Sequence, residues 1–397
     1  MSESKEPVIT LEALADLPES SYVLVDVRDA ISYDYDTLPH AVSMPDIVER
    51  AEHHMLPDDW EGKTPVLFCM RGVESLAMAE ELCSLGIHAV SLQDGFSGWI
   101  RAHLSQENRA EEIEKDLRTK ASRKKLFSRF TRAVKEFDMV SEGDRIAVCI
   151  SGGKDSMLMA KLFQELKRCR KAPFELVFLI MDPGYNELNR LVIEKNAAML
   201  GIPAVIFETP IFDAVDQMTD KPCFMCARMR RGYLYRKAKE LGCNKIALGH
   251  HFDDVIETIL MAMLWGGQVQ TMMPKVHSRN CEGMELIRPM YYIREEDIKA
   301  WRDEHELHFI QCACHFTDTC SSCREDGVPV SKRMETKLLI RRLKETNPYV
   351  EANIFNSMQH VDLNSVLSYK LHGVSHEFAD NYAEYVPSPG EDPLDEI

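Results

Sequence analysis

Hydrophobic residues in the first hundred positions cluster into short, strand-like runs. YVLVDVR at 22–28, PVLFCM at 65–70 and HAVSL at 88–92 are bounded by polar or turn-forming residues, as buried strands are. Between them apolar residues recur at three- and four-residue intervals, the spacing of one helix face. This alternation predicts an α/β unit over 1–105.

Past Arg101 the pattern changes. NRAEEIEKDLRTKASRKKLFSRFTRAVKEF, ending at Phe137, is dense in charge and has apolar residues at helical intervals. It predicts a charged helical linker over 106–136 that opens a second unit. From Arg145 the strand-and-helix alternation restarts with RIAVCI at 145–150, ELVFLIM at 175–181, PAVIF at 203–207 and KIALG at 245–249. A doubly wound parallel sheet over 137–330 is the expectation. After about Asn280 the plan loosens into a cysteine-bearing loop, and 331–397 is expected to hold a basic helix near 331–345 and an acidic tail.

A chain of 397 residues exceeds one ordinary core, in keeping with two folded domains. No apolar run approaches the roughly 18 residues of a membrane span, so no membrane partner is expected. The opening MSESKEPVIT lacks a signal-peptide plan, which predicts a cytoplasmic address. Twelve cysteines in such a chain point to metal ligation or thiol chemistry rather than disulfides. The net charge of −17 is unevenly distributed. Basic residues gather from Arg118 through Arg123, Lys124, Lys125, Arg129 and Arg132 to Lys135, and again at Lys332, Arg333, Lys337, Arg341, Arg342 and Lys344. Each stretch reads either as a phosphate-binding face or as a solvated helix face.

The most informative motif is SGGKDS, Ser151 to Ser156, between an apolar strand and an amphipathic helix. Gly152 and Gly153 let backbone approach an anion, and the helix start directs free amides at the same point. Lys154 adds a mobile positive charge, while Ser151 and Ser156 can donate to phosphate oxygens. Asp155 beside a phosphate would be repulsive without a divalent cation between them, so its expected role is to hold Mg2+. The spacing is not that of the G-x-x-x-x-G-K-[ST] loop. It resembles that of the PP-loop ATP pyrophosphatases, which implies cleavage of ATP between its α and β phosphates and an adenylated substrate oxygen.

LGHHFDDVIET at 248–258 follows the strand at 245, where an open α/β sheet presents its crevice. His250, Asp253 and Asp254 are expected to face the loop, with His250 and Asp253 counted as catalytic beside Asp155. Helix N-termini favour acidic residues in any case, which is the plainer reading of Asp254 and Glu257. Asp182, ending the run from 175, and Gly249 complete the expected nucleotide-binding set with Ser151–Ser156 and His250.

Cys223 and Cys226 form a CxxC half-site at a helix start, and Cys312, Cys314, Cys320 and Cys323 could complete either a zinc site or a 4Fe-4S cluster. From Gly143 to about Ser357 the chain resembles the tRNA 2-thiocytidine synthetase branch of the PP-loop enzymes. The resemblance rests on SGGKDS, on the segment from Cys223 through Thr258, on LWGGQVQTMMPK at 264–275 and on the late cysteines. It implies a 4Fe-4S cluster held by three cysteines, which map onto Cys223, Cys226 and Cys312. It also implies tRNA as the substrate, activated at the C2 oxygen of a pyrimidine, by resemblance cytidine. Cys314, Cys320 and Cys323 depart from that pattern, which leaves the third ligand open.

LVDVRD at 24–29, SMPDI at 43–47, VLFCMRGVES at 66–75 and GFSGW at 95–99 resemble a rhodanese domain. Cys69 ends a strand and opens a loop whose amides and following helix would stabilise a persulfide anion. Glu74 stands where a basic residue is common, so a docking module without sulfur chemistry is the alternative. The combined reading is an ATP-dependent tRNA sulfurtransferase, supplied from Cys69, a cysteine desulfurase or sulfide, with a homodimer as one possible assembly. Its rivals are a thiolase for a small molecule or another nucleoside, and a non-catalytic nucleotide- and cluster-binding regulator.

Overall fold

In the computed structural model, residues 7–104, 107–169, 173–216, 222–278, 281–309 and 332–381 are described. Two parallel sheets organise them. The first is five-stranded, in the order β1-β5-β4-β2-β3, from β1 (Val8–Ile9), β2 (Tyr22–Asp26), β3 (Val42–Ser43), β4 (Thr64–Phe68) and β5 (Val90–Leu92). The second has the order β10-β11-β9-β6-β7-β8. Its members are β6 (Arg145–Ile150), β7 (Glu175–Asp182), β8 (Ala204–Glu208), β9 (Lys245–Ala247), β10 (Lys275–His277) and β11 (Glu285–Ile287). Only the edge pairing of β10 with β11 is antiparallel.

This is a doubly wound sheet. From β6 the chain adds β7 and β8 on one side, then returns to place β9 and β11 on the other. The two directions part between β6 and β9, and such a switch point leaves a crevice beyond the strand ends. Both strands end there in the motifs expected to bind the nucleotide. β6 is covered on both faces, which is why it reads as an uninterrupted apolar run rather than an alternating one.

Eight helices matter below: α1 (Ala30–Tyr35), α2 (Val73–Ser84), α3 (Ser128–Glu136), α4 (Lys154–Cys169), α5 (Pro222–Glu240), α6 (Phe252–Gly266), α7 (Glu295–Glu304) and α8 (Lys332–Thr346). The charged segment before β6 is firmly packed. Its apolar positions, Ile113, Leu117, Leu126, Phe127, Phe130, Ala133 and Val134, are all buried. Phe130 meets Phe163 of α4 edge to face, with ring centroids 5.1 Å apart. The charges lie on the other side, where Arg132 pairs with Glu136 at 3.1 Å. The helical period therefore separates core from solvent within one segment.

The two sheets share an apolar cluster that runs from Val66, Phe68, Phe96 and Trp99 of the first unit to Ile146, Leu158 and Phe163 of the second. Trp99 also meets His308 edge to face at 4.5 Å.

Phe130→Ala removes a fully buried ring at the α3–α4 contact. It is expected to cost about 3–5 kcal/mol in urea unfolding, whereas an exposed linker position would change stability by less than about 0.5 kcal/mol.

Candidate active site

The Ser151–Ser156 loop turns directly from β6 into α4. Gly152 has a φ of 91°, which a side chain would strain. The Ser156 hydroxyl accepts from the Ser151 amide at 3.1 Å and donates to the Gly153 carbonyl at 2.9 Å, closing the turn on itself. Thus Ser156 shapes the loop, whereas Ser151 stays exposed at its mouth. The free amides of the α4 start and its positive dipole end form an anion seat.

The second motif lies against this loop. A Cβ on Gly249 would stand 3.2 Å from the Ser156 amide nitrogen and 3.3 Å from the Asp155 carbonyl carbon, so the backbone after β9 passes closer than most side chains permit. Two residues on, His251 caps α6: its backbone N–H donates to Asp254 at 3.1 Å, and the Asp254 N–H donates to its Nδ1 at 3.4 Å. His251 Nε2 lies 3.8 Å from Asp155 and 3.6 Å from Asp254.

Around these residues the crevice is a buried network of charges. Lys154 Nζ is 3.3 Å from the Asp155 carboxylate and 3.4 Å from that of Glu295. Lys337 of α8 donates to the other Glu295 oxygen at 2.5 Å. Burial would raise the pKa of Glu295, but Lys337 and Lys154 outweigh it and hold the carboxylate far below its usual range. Arg333, also on α8, donates to Asp254 at 2.5 Å.

Eight buried side-chain polar atoms among the described residues lack a hydrogen-bond partner, and two of them belong to the two motifs. These are His250 Nδ1 and Asp155 Oδ1, the latter still 3.3 Å from the Lys154 ammonium. Burial, with Arg288 and Arg333 nearby, pulls His250 down to about 4 against the pull of Asp254, so it is neutral near pH 7. Buried polar atoms without a hydrogen bond are uncommon, and both belong to the motifs that follow β6 and β9.

Asp253 does something different. Its carboxylate accepts from Arg294 at 3.1 Å and from the Glu295 amide at 2.7 Å, which ties the start of α7 to the start of α6. Asp182, at the end of β7, accepts from the Gly184 and Tyr185 amides at 2.8 and 2.7 Å and pairs with Arg190. It shapes the turn beside a cavity of about 460 Å³ lined also by Glu208 and Thr209.

In the first unit Cys69 is buried where β4 gives way to α2. The Gly72 N–H donates to its Sγ at 3.2 Å and the Ser75 hydroxyl at 3.5 Å. Cys223 and Cys226 lie one turn apart at the start of α5, and Cys226 is not in a disulfide. Cys312, Cys314, Cys320 and Cys323 fall outside the described residues. No group of three potential metal ligands is preassembled among the described residues.

With this geometry in view, a PP-loop domain model matches residues 123–315 and a rhodanese-like domain model matches residues 10–102. A tRNA-cytidine(32) 2-sulfurtransferase from Anaeromyxobacter dehalogenans is 34% identical over 252 residues, 63% of this chain and 83% of the relative. The protein of the same name from Alkalilimnicola ehrlichii is 33% identical over 283 residues, 69% of this chain and 83% of its own. The chain belongs to the tRNA-cytidine(32) 2-sulfurtransferase family. Among solved structures, the U34-tRNA thiolase NcsA from Methanococcus maripaludis, with its [4Fe-4S] cluster, covers 59% of this chain and 79% of its own at 21% identity and a TM-score of 0.46. No described helix is long and apolar enough to cross a membrane.

Against this family background, the site contains more than its two motifs. His251, Glu295, Arg294, Arg333 and Lys337 join the residues expected from the sequence. Arg333 and Lys337 had a signal in the second basic stretch. Glu295 had none, because a glutamate at a helix start is ordinary.

Burial is the main reason Glu257 is raised to about 7, against the pull of Arg333. The stability this group contributes is complete below its unfolded value near 4.5 and is lost as the pH rises through about 7. Glu257→Gln removes that loss. In urea unfolding of the nucleotide-free chain, the variant should gain about 2–3 kcal/mol relative to wild type between pH 5 and pH 8.

Proposed function

We propose that the chain is a tRNA sulfurtransferase that uses ATP to adenylate a cytidine C2 oxygen and then replaces that oxygen with sulfur. The observation behind this reading is the anion seat of Ser151–Ser156, where Asp155 Oδ1 accepts no hydrogen bond and lies 3.3 Å from the Lys154 ammonium. The family supplies the identity of the acceptor and of the incoming atom.

In the first step the pyrophosphate portion of ATP lies against the α4 amides and Lys154. The base oxygen attacks the α phosphorus, the bond to the bridging oxygen breaks, and pyrophosphate leaves with the electron pair. Lys154 offsets the charge that gathers on the departing oxygens. Asp155 fits a Mg2+ ligand, since this cation is commonly held by one or two carboxylates plus substrate phosphates; when bound, it would neutralise phosphate charge. His250, kept neutral by burial, can accept or donate one hydrogen bond through Nδ1. Asp253 keeps α7 in place, so that Glu295 continues to hold Lys154.

In the second step sulfur forms a bond to C2 and the C2–O bond breaks, releasing AMP. Cys223 and Cys226, one helical turn apart, fit two thiolate ligands of a 4Fe-4S cluster, with Cys312 as the proposed third. When bound, the cluster would present sulfur to the activated carbon. Cys69, with its sulfur directed at the α2 start, is the proposed persulfide carrier, its outer sulfur being released at the sulfide level when an external thiol reductant supplies two electrons.

A direct test uses anaerobically purified chain, bulk tRNA, Mg–ATP and sulfide. AMP, pyrophosphate and 2-thiocytidine should form in equal amounts, and Asp155→Asn should lower the rate roughly 10²-fold or more. Formation of ADP, or of AMP without thiolated nucleoside, would overturn the reading. Cys69→Ala should leave sulfide-supported thiolation intact and abolish the reaction supported by a persulfide donor.

The first basic stretch bears on tRNA. Lys125 and Arg129 are partly engaged by Asp297, at 3.7 and 2.6 Å, while Lys124 shares with them a cavity of about 550 Å³. Neutralising Arg123, Lys124 and Lys125 together should weaken tRNA binding and flatten its salt dependence by about 2–3 in log–log slope. An unchanged slope in a filter-binding titration would place the phosphate contacts elsewhere.

A further inference from the structure

The nucleotide loop of the second unit is covered by a side chain from the first. Tyr35, at the end of α1, lies with its ring centroid 4.8 Å from Lys154 Nζ and 6.0 Å from the Arg302 guanidinium carbon. The backbone N–H of Lys154, first in α4, is directed at the Tyr35 hydroxyl. Lys154 is only 3% exposed. Both donors that would meet a phosphate, the ammonium and the first helix amide, therefore already face one phenol.

The flanking residues hold the phenol there. The Asp34 carbonyl accepts from Lys299 of α7 at 3.0 Å, and its carboxylate accepts from Arg341 of α8 at 2.7 Å. On the other side, the Asp36 carboxylate is 3.0 Å from His308 Nδ1. Arg28 donates to the Asp36 carbonyl at 2.6 Å and is itself paired with Asp26 at the end of β2. The segment is thus bound by the second unit while remaining anchored to its own sheet. Burial and the adjacent Asp155 carboxylate push the Tyr35 phenol well above its ordinary value, so it is a neutral group that shields Lys154 from water.

We propose that Tyr35 is a plug in the pyrophosphate seat: it and the nucleotide exclude one another, and nucleotide binding releases the Asp34–Asp36 segment from α7 and α8. The proposal rests on reading Ser151–Ser156 as the nucleotide loop. Because the coupling is reciprocal, whatever draws this segment of the rhodanese-like unit away from the loop strengthens nucleotide binding. Sulfur supply and ATP activation are then linked through one short stretch of chain.

The test is a calorimetric titration of Mg–α,β-methylene-ATP into the full chain and into Tyr35→Ala, with hydrogen exchange followed over residues 30–37. If the plug is closed about nine-tenths of the time, the variant binds roughly tenfold more tightly. In the wild type, the nucleotide then speeds exchange across 30–37. Equal or weaker binding by Tyr35→Ala, or slower exchange in that segment, overturns the plug; the last result would make Tyr35 part of the nucleotide's own seat. Absence of binding by both chains overturns the plug together with the reading of the loop. Tyr35→Leu keeps the apolar bulk and replaces Tyr35→Ala if the latter does not fold, and the wild-type exchange experiment stands without either variant.

Discussion

A buried lysine ammonium at the switch point of the second sheet is the constraint around which this molecule is arranged. Lys154 opens α4 directly after the β6 loop, and that position removes it from water. A charge so placed requires partners. Asp155 and Glu295 provide them, and Glu295 in turn requires Lys337. The start of α7 is fixed by Asp253 and Arg294, and α8 lies across α6 through Arg333. Each tie brings another element to the same crevice, so the electrostatics of one side chain account for much of the local architecture.

The sequence was most legible where a pattern had one physical cause. β6 and β7 were readable to within a residue, because strands covered on both faces leave continuous apolar runs. The Ser151–Ser156 loop was readable as a strand-to-helix turn because an apolar run, paired glycines and a helix start follow one another in order. β1, β3, β10 and β11 were not, since strands of two or three residues leave too few positions for any period to show. Segment 110–136 was readable as helical, but its fully buried side was obscured by the density of charge on its outer side.

Site residues divided along the same line. Residues within the two motifs could be named, but not what each carboxylate would touch: Asp253 and Asp182 are turned toward backbone amides and arginines, and Asp155 toward the Lys154 ammonium. Glu295, more than a hundred residues from the loop, enters through tertiary packing. The coupling of Asp34, Tyr35 and Asp36 to the loop is of that kind too. An acidic turn in a first domain gives no hint in sequence that a lysine of the second lies opposite.

The apolar cluster shared by the two sheets has a mechanical consequence for the proposed sulfur delivery. A carrier domain on a loose tether searches a volume, and its effectiveness depends on linker length. Here Phe68, Phe96 and Trp99 belong to the same core as Ile146 and Phe163, so the first unit cannot swing as a body without exposing both. The distance between Cys69 and the nucleotide crevice is therefore a fixed property of the fold. Under the proposed delivery from Cys69, the path for sulfur is made by local bending of short elements such as α1, or by an acceptor RNA moving over a stationary protein.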